Sequence, residues 1–202
     1  RDSLREETKG LLLETPRSLS AGGFHTCAIK TDRGVRCWGL DWQGRPTPPG
    51  DVGSAFAVSA GDLHTCAIQM DQSVKCWGEN ENGQSTPPDD LGPVVAISAG
   101  NLHTCAIKMD RRVKCWGEHW AGRCTPPEDL GPVLAVSAGA DHTCAIKMDQ
   151  SVKCWGLNQS DQNTPPEDLG PVLAVSAGMT HTCAIKMDQS VKCWGDNGHG
   201  QR

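Results

Sequence analysis

Eleven cysteines and seven histidines are the residues whose chemistry could go beyond packing, and most of them fall on one spacing. Ten cysteines form five pairs at a separation of 10, Cys27 with Cys37, Cys66 with Cys76, Cys105 with Cys115, Cys144 with Cys154, and Cys183 with Cys193, leaving Cys124 over. His25, His64, His103, His142 and His181 each stand two residues before the first cysteine of a pair and are always followed by Thr. Zinc knuckles space their cysteines two to four residues apart and need two further ligands, so these pairs argue against a metal site. No Ser or Cys stands in a nucleophile motif, no glycine-rich loop leads from a strand into a helix, and no carboxylate pair is set apart from the repeat. Those are the constellations that carry group transfer and hydrolysis. The residues therefore point to a non-enzyme with no catalytic residue, metal, cofactor or small-molecule substrate.

The elements that hold these residues are repeated. Each histidine opens a unit closed by Cys-Trp-Gly, at Gly39, Gly78, Gly117, Gly156 and Gly195, and the units recur every 39 residues. Such a period implies a tandem array in one domain. Each unit reads as a β-hairpin, in which opposed residues share a face. A three-residue loop Met70-Asp71-Gln72 sets Ile68 opposite Val74 and Cys66 opposite Cys76, whereas a two-residue loop would set Ile68 against Lys75. The first register keeps apolar with apolar. It places Arg33, Gln72, Arg111, Gln150 and Gln189 where the loop needs a left-handed residue, usually Gly, at roughly 1 kcal/mol each.

In that register each cysteine pair lies at a non-hydrogen-bonded position, close enough for a cross-strand disulfide. Closing so short a loop stabilises by roughly 2.5 to 3 kcal/mol on the chain-entropy model. Reduced thiols packed as small apolar side chains fit the same spacing. The choice decides the compartment: extracellular or secretory if the pairs are oxidised, cytoplasmic if not.

Ahead of each hairpin runs an apolar stretch, for example Ala55 to Val58 and Val94 to Ile97, which makes a third strand, and Ser-Ala-Gly then turns into the hairpin. Thr-Pro-Pro segments make the connections stiff and keep them out of central strands. Both faces of the sheet carry apolar residues, Cys66, Ile68, Val74 and Cys76 on one and Ala67 and Trp77 on the other. Neighbouring sheets must cover both, which is the pattern of propeller blades. Expected blades are 13–49, 50–88, 89–127, 128–166 and 167–202, after a linker or short helix at 1–12, where Ser3-Leu4-Arg5-Glu6 has capping-box spacing. The fold class is thus all-β, five three-stranded antiparallel blades in a small ring or an open arc. A net charge of −5 with no Lys or Arg run excludes an electrostatic footprint for nucleic acid. No apolar run reaches membrane-spanning length.

Ala-Gly-x-x-His-Thr-Cys-Ala-Ile, then Asp71, then Val-Lys-Cys-Trp-Gly-x-Asn-x-x-Gly-Gln (Ala60 to Gln84) resembles the regulator of chromosome condensation repeat. The resemblance covers about residues 13–202. It implies a β-propeller, commonly seven-bladed in that family, and the short units resemble the three-stranded blades of bacterial β-lactamase inhibitor propellers. The family's tasks are diverse, and their common thread is binding another protein. Nucleotide exchange on a small GTPase and regulation of a ubiquitin ligase are the alternatives it implies, and the cysteine pairs add a disulfide-stapled extracellular scaffold as a third. The sequence argues against ultraviolet sensing, because the Gly-Trp-Arg-His-Thr of the plant photoreceptors is Gly61-Asp62-Leu63-His64-Thr65 here, and no copy has Trp-Arg. The Trp of each Cys-Trp-Gly and the repeated His then read as packing and hydrogen-bonding framework.

Variation among the copies concentrates in the two residues before each His and in the loop after Cys-Trp-Gly. With three strands per blade, both lie at the end opposite the Met-Asp-Gln turn. Phe24, Asp41, Trp42, Leu63, Leu102, His119 and Trp120 are the expected partner-binding rim, because exposed aromatics dominate binding energy when they face a partner. Drift in loops freed from packing would give the same variation. The partner is expected to be a protein of unknown identity.

Overall fold

The structure, a computed structural model, describes residues 18–40 and 47–202. The capping sequence Ser3-Leu4-Arg5-Glu6 lies outside them, as do Asp41 and Trp42. The first blade holds β1 (Ser18–Ala21), β2 (His25–Ile29) and β3 (Val35–Gly39), and the second β4 (Ala55–Ala60), β5 (His64–Gln69) and β6 (Val74–Gly78). The third holds β7 (Val94–Ala99), β8 (His103–Lys108) and β9 (Val113–Gly117), and the fourth β10 (Val133–Ala138), β11 (His142–Lys147) and β12 (Val152–Gly156). β13 (Val172–Ala177), β14 (His181–Lys186) and β15 (Val191–Gly195) form the fifth. Each blade is a separate antiparallel sheet in chain order.

The hairpin register is the one that side-chain parity requires: Ile68 faces Val74 and Cys66 faces Cys76, and the other four blades repeat it. Arg33, Gln72, Arg111, Gln150 and Gln189 all adopt left-handed conformations, with φ between 66° and 70°. What offsets the missing glycine is the preceding aspartate. Its carboxylate accepts the N–H two residues on, as Asp71 does from Ser73 at 3.0 Å, forming a turn of its own. One boundary differs from expectation. The first strand of each complete blade runs on through Ser-Ala, Ser59 pairing with Cys66 and Ala60 with Thr65, and the turn is Gly61-Asp62-Leu63. The serine has a reason to stay in the strand: Ser20, Ser59, Ser98 and Ser137 each accept the N–H of an alanine in the next blade at 2.9 to 3.0 Å.

Cores form between blades. Cys105, Ile107 and Cys115 of the third blade pack on Ala145 and Trp155 of the fourth, with Leu130 and Val133 closing the cluster. The same arrangement recurs at the other three junctions. A Cβ on Gly22, Gly61, Gly100 or Gly139 would collide with the carbonyl oxygen of the next blade's equivalent glycine, so the turns can approach the axis only as glycine. The array is an open arc. Among the described residues no hydrogen bond joins the fifth blade to the first. The outward face of the fifth blade leaves Ile185 41% and Val191 64% exposed, whereas Ile68 and Ile107 are fully buried.

All five cysteine pairs are disulfides, with Cα atoms 4.0 to 4.1 Å apart. Cys124 is buried, its thiol donates to the Glu118 carbonyl, and burial pushes its pKa up to about 12. Thiolate is the reactive form. Iodoacetamide at neutral pH is therefore expected to leave the native protein unmodified and to add one label in denaturant. Rapid labelling of the native form would show that Cys124 is accessible.

Candidate functional site

The repeated histidines settle into the framework. His25, His64, His103 and His142 place Nε2 at 2.6 to 2.8 Å from Oγ1 of Thr65, Thr104, Thr143 and Thr182, always in the next blade. Thr104, Thr143 and Thr182 in turn donate their hydroxyl protons to the carbonyls of Gln84, Arg123 and Gln162. With that proton committed, the threonine oxygen accepts from histidine, so Nε2 carries the hydrogen on His64, His103 and His142. The same carbonyls accept the indole N–H of Trp116, Trp155 and Trp194. Burial pushes His64 and His142 down to about 4 and His103 to about 3, so all three are neutral at physiological pH. The ladder does not reach solvent. Among the described residues no group of three or more His, Cys, Asp or Glu side chains could hold a metal. No helix there is long and apolar enough to cross a membrane.

The variable residues do lie together. Leu40, Glu79, Glu118, Leu157 and Asp196, which begin the exit loops, donate N–H to the carbonyls of Phe24, Leu63, Leu102, Asp141 and Thr180 at 2.8 to 3.0 Å. Each residue before a histidine is thereby tied to the exit loop of its own blade, and the five pairs share one rim. Phe24 is 55% and Trp120 53% exposed. His119 is exposed, and Leu63 and Leu102 are half-buried. Asp41 and Trp42 fall outside the described residues.

Two features of this rim were not read from the sequence. Leu40 and Met179 also stand out of it, the latter 71% exposed. Arg123 replaces the glutamine found at Gln84, Gln162 and Gln201. Its guanidinium pairs with Asp141 at 2.9 Å, donates to the Ala140 carbonyl at 3.1 Å and lies 5.3 Å from the Trp120 ring centroid. Trp120 sits in a 3-10 turn, Trp120–Gly122, and Arg123 Nε donates to its carbonyl. The departure from glutamine was visible by comparing copies; its partner Asp141, in the next blade, was not. The five turns also line an open axial cleft of about 270 Å³, with alanines and glycines of every blade and Asp62, Asn101 and Met179.

The ectodomain of the Physcomitrella patens receptor kinase CR4 is similar at 28% identity and a TM-score of 0.77, over 90% of this chain and 52% of that one. The CRINKLY WD40 ectodomain of the Arabidopsis thaliana receptor kinase ACR4 is similar at 31% identity and a TM-score of 0.70, over 88% and 64%. Prp20p of Saccharomyces cerevisiae, at 17% identity and a TM-score of 0.72 over 88% and 57%, shares the fold. The chain thus spans 52% to 64% of the length of these structures. No curated protein matches it significantly. The model of the regulator of chromosome condensation (RCC1) repeat matches residues 17–41, 57–84, 94–119, 133–162 and 172–201, one match for each blade, and the chain belongs to that family.

Proposed function

We propose that this chain is a non-enzymatic module that binds a protein partner through the rim bearing Phe24, Leu63, Leu102, His119 and Trp120, in an extracellular or secretory compartment. Asp41 and Trp42 belong to the same proposed surface by their place in the repeat. One observation carries the reading: the variable segments share a rim with the exposed large apolar side chains Phe24, Leu40, Trp120 and Met179. Aromatic anchors in such positions dominate binding energy. The five disulfides and the likeness to two receptor-kinase ectodomains support the compartment. The fold shared with Prp20p carries no argument for exchange on a GTPase, since identity there is 17%.

The opposite rim supplies the control, because Met70, Met109, Met148 and Met187 stand there about half exposed at the hairpin turns. A partner captured from secreted and cell-surface extracts is expected to be lost with Leu102→Ser plus Trp120→Ala, by about tenfold or more in affinity. It is expected to be kept when the four methionines become serine. Loss with the methionine variant alone would overturn the assignment.

A further inference from the structure

The rim that carries the apolar anchors also carries the whole charge imbalance of the described residues. Asp62 and Asp141 stand in its turns, and Glu79, Glu81, Glu118, Asp161 and Asp196 in its exit loops. Against these seven carboxylates stand two guanidiniums among the described residues. Arg123 is buried and committed to Asp141, and Arg202 donates to the Gly195 carbonyl. The described residues elsewhere hold twelve Lys or Arg and twelve Asp or Glu, a balance, in a chain whose net charge is −5. On the hairpin side the connector aspartates are paired, Asp51 with Lys75, Asp90 with Lys114, Asp129 with Lys153, and Asp168 with Lys192. On the rim, Asp62, Glu81, Glu118, Asp161 and Asp196 have no ion pair among the described residues.

The axial cleft is a second and independent feature of the same rim. Ala60, Ala99, Ala138 and Ala177 give it apolar walls, and Asp62 and Asn101 are its polar lining side chains. A straight aliphatic stem ending in a cation fits such walls, and an anionic side chain there would face Asp62.

We propose that the rim docks a basic segment of its protein partner, seating a Lys or Arg side chain in the axial cleft beside Asp62 and apolar neighbours on Phe24, Leu102 and Trp120. This rests on the rim being the binding surface. Complementary charge at such a surface mainly sets the encounter rate and the choice of partner.

The test selects from a random dodecapeptide phage library on the intact protein and repeats the selection on two variants. One is Asp62→Asn, Glu81→Gln, Glu118→Gln and Asp161→Asn together, and the other Leu102→Ser with Trp120→Ser. Intact mass verifies that each variant keeps five disulfides. The expected pool is enriched in Lys or Arg, that enrichment disappears on the amide variant, and association of a selected peptide slows about tenfold or more as salt is raised. Peptides lost on the serine variant yet neutral or acidic would overturn the basic partner and leave the rim standing. An empty pool, or one indifferent to both variants, would overturn both.

Discussion

Reductant alone is expected to unfold this protein at neutral pH and room temperature. Each disulfide closes a loop with a separation of 10 residues. The chain-entropy relation puts that at roughly 2.8 kcal/mol apiece, and the five together on the order of 14 kcal/mol. A domain of ordinary stability has about 5 to 15 kcal/mol in total. Intervening junctions offer little reserve, because each core is a small cluster shared between two thin sheets. Near-ultraviolet circular dichroism of the seven tryptophans, followed as dithiothreitol is added, should lose its signal in one to several steps. A signal unchanged after all ten cysteines have been reduced would mean that packing alone holds the blades.

Acid should weaken the junctions between blades. Above pH about 6.5 the imidazoles are neutral whether the chain is folded or not. As pH falls from there toward 4, the unfolded chain takes up protons that His64, His103 and His142 refuse while buried. Stability is therefore complete above 6.5, declines through the window down to about 4 for His64 and His142 and about 3 for His103, and then levels off for these groups. His64 and His142 each contribute roughly 3 kcal/mol to that decline and His103 roughly 5 kcal/mol. Urea midpoints measured at pH 7.5 and pH 4.5 should differ accordingly, and His103→Gln should be less stable at pH 7.5 yet lose less on acidification. Equal midpoints for the native sequence at the two pH values would rule out the buried neutral ladder.

How much of this was legible beforehand follows the range of each interaction along the chain. The hairpins were legible, because parity across a short loop fixes which residue faces which, and the left-handed Gln72 and Arg111 follow from that register. The aspartate that stabilises the turn acts two residues away and was within reach of the same reasoning. The histidine's role as a hydrogen-bonding framework residue was legible from its repetition. Its partner was not, since His64 bonds Thr104 and not the adjacent Thr65, across a junction that only packed blades create. Ser59 shows the same limit: it reads as a turn former, yet it stays in the strand to accept the N–H of Ala99. The rim was legible as a place, because the strand count puts the pre-histidine residue and the exit loop at one end. Its acids fall in those same segments and could have been counted there; what only the structure adds is that the aspartates on the other side, such as Asp51 and Asp90, are paired with lysines of the neighbouring hairpin strand.

The central claim is that this rim, and not the hairpin side, is the working surface. Hydrogen exchange of backbone amides with and without the bound partner tests it most directly. Protection is expected in residues 62–63, 79–84, 101–102 and 118–123, with the hairpin turns at 70–72, 109–111, 148–150 and 187–189 unchanged. Protection confined to those turns, with the exit loops exchanging as in the free protein, would contradict it.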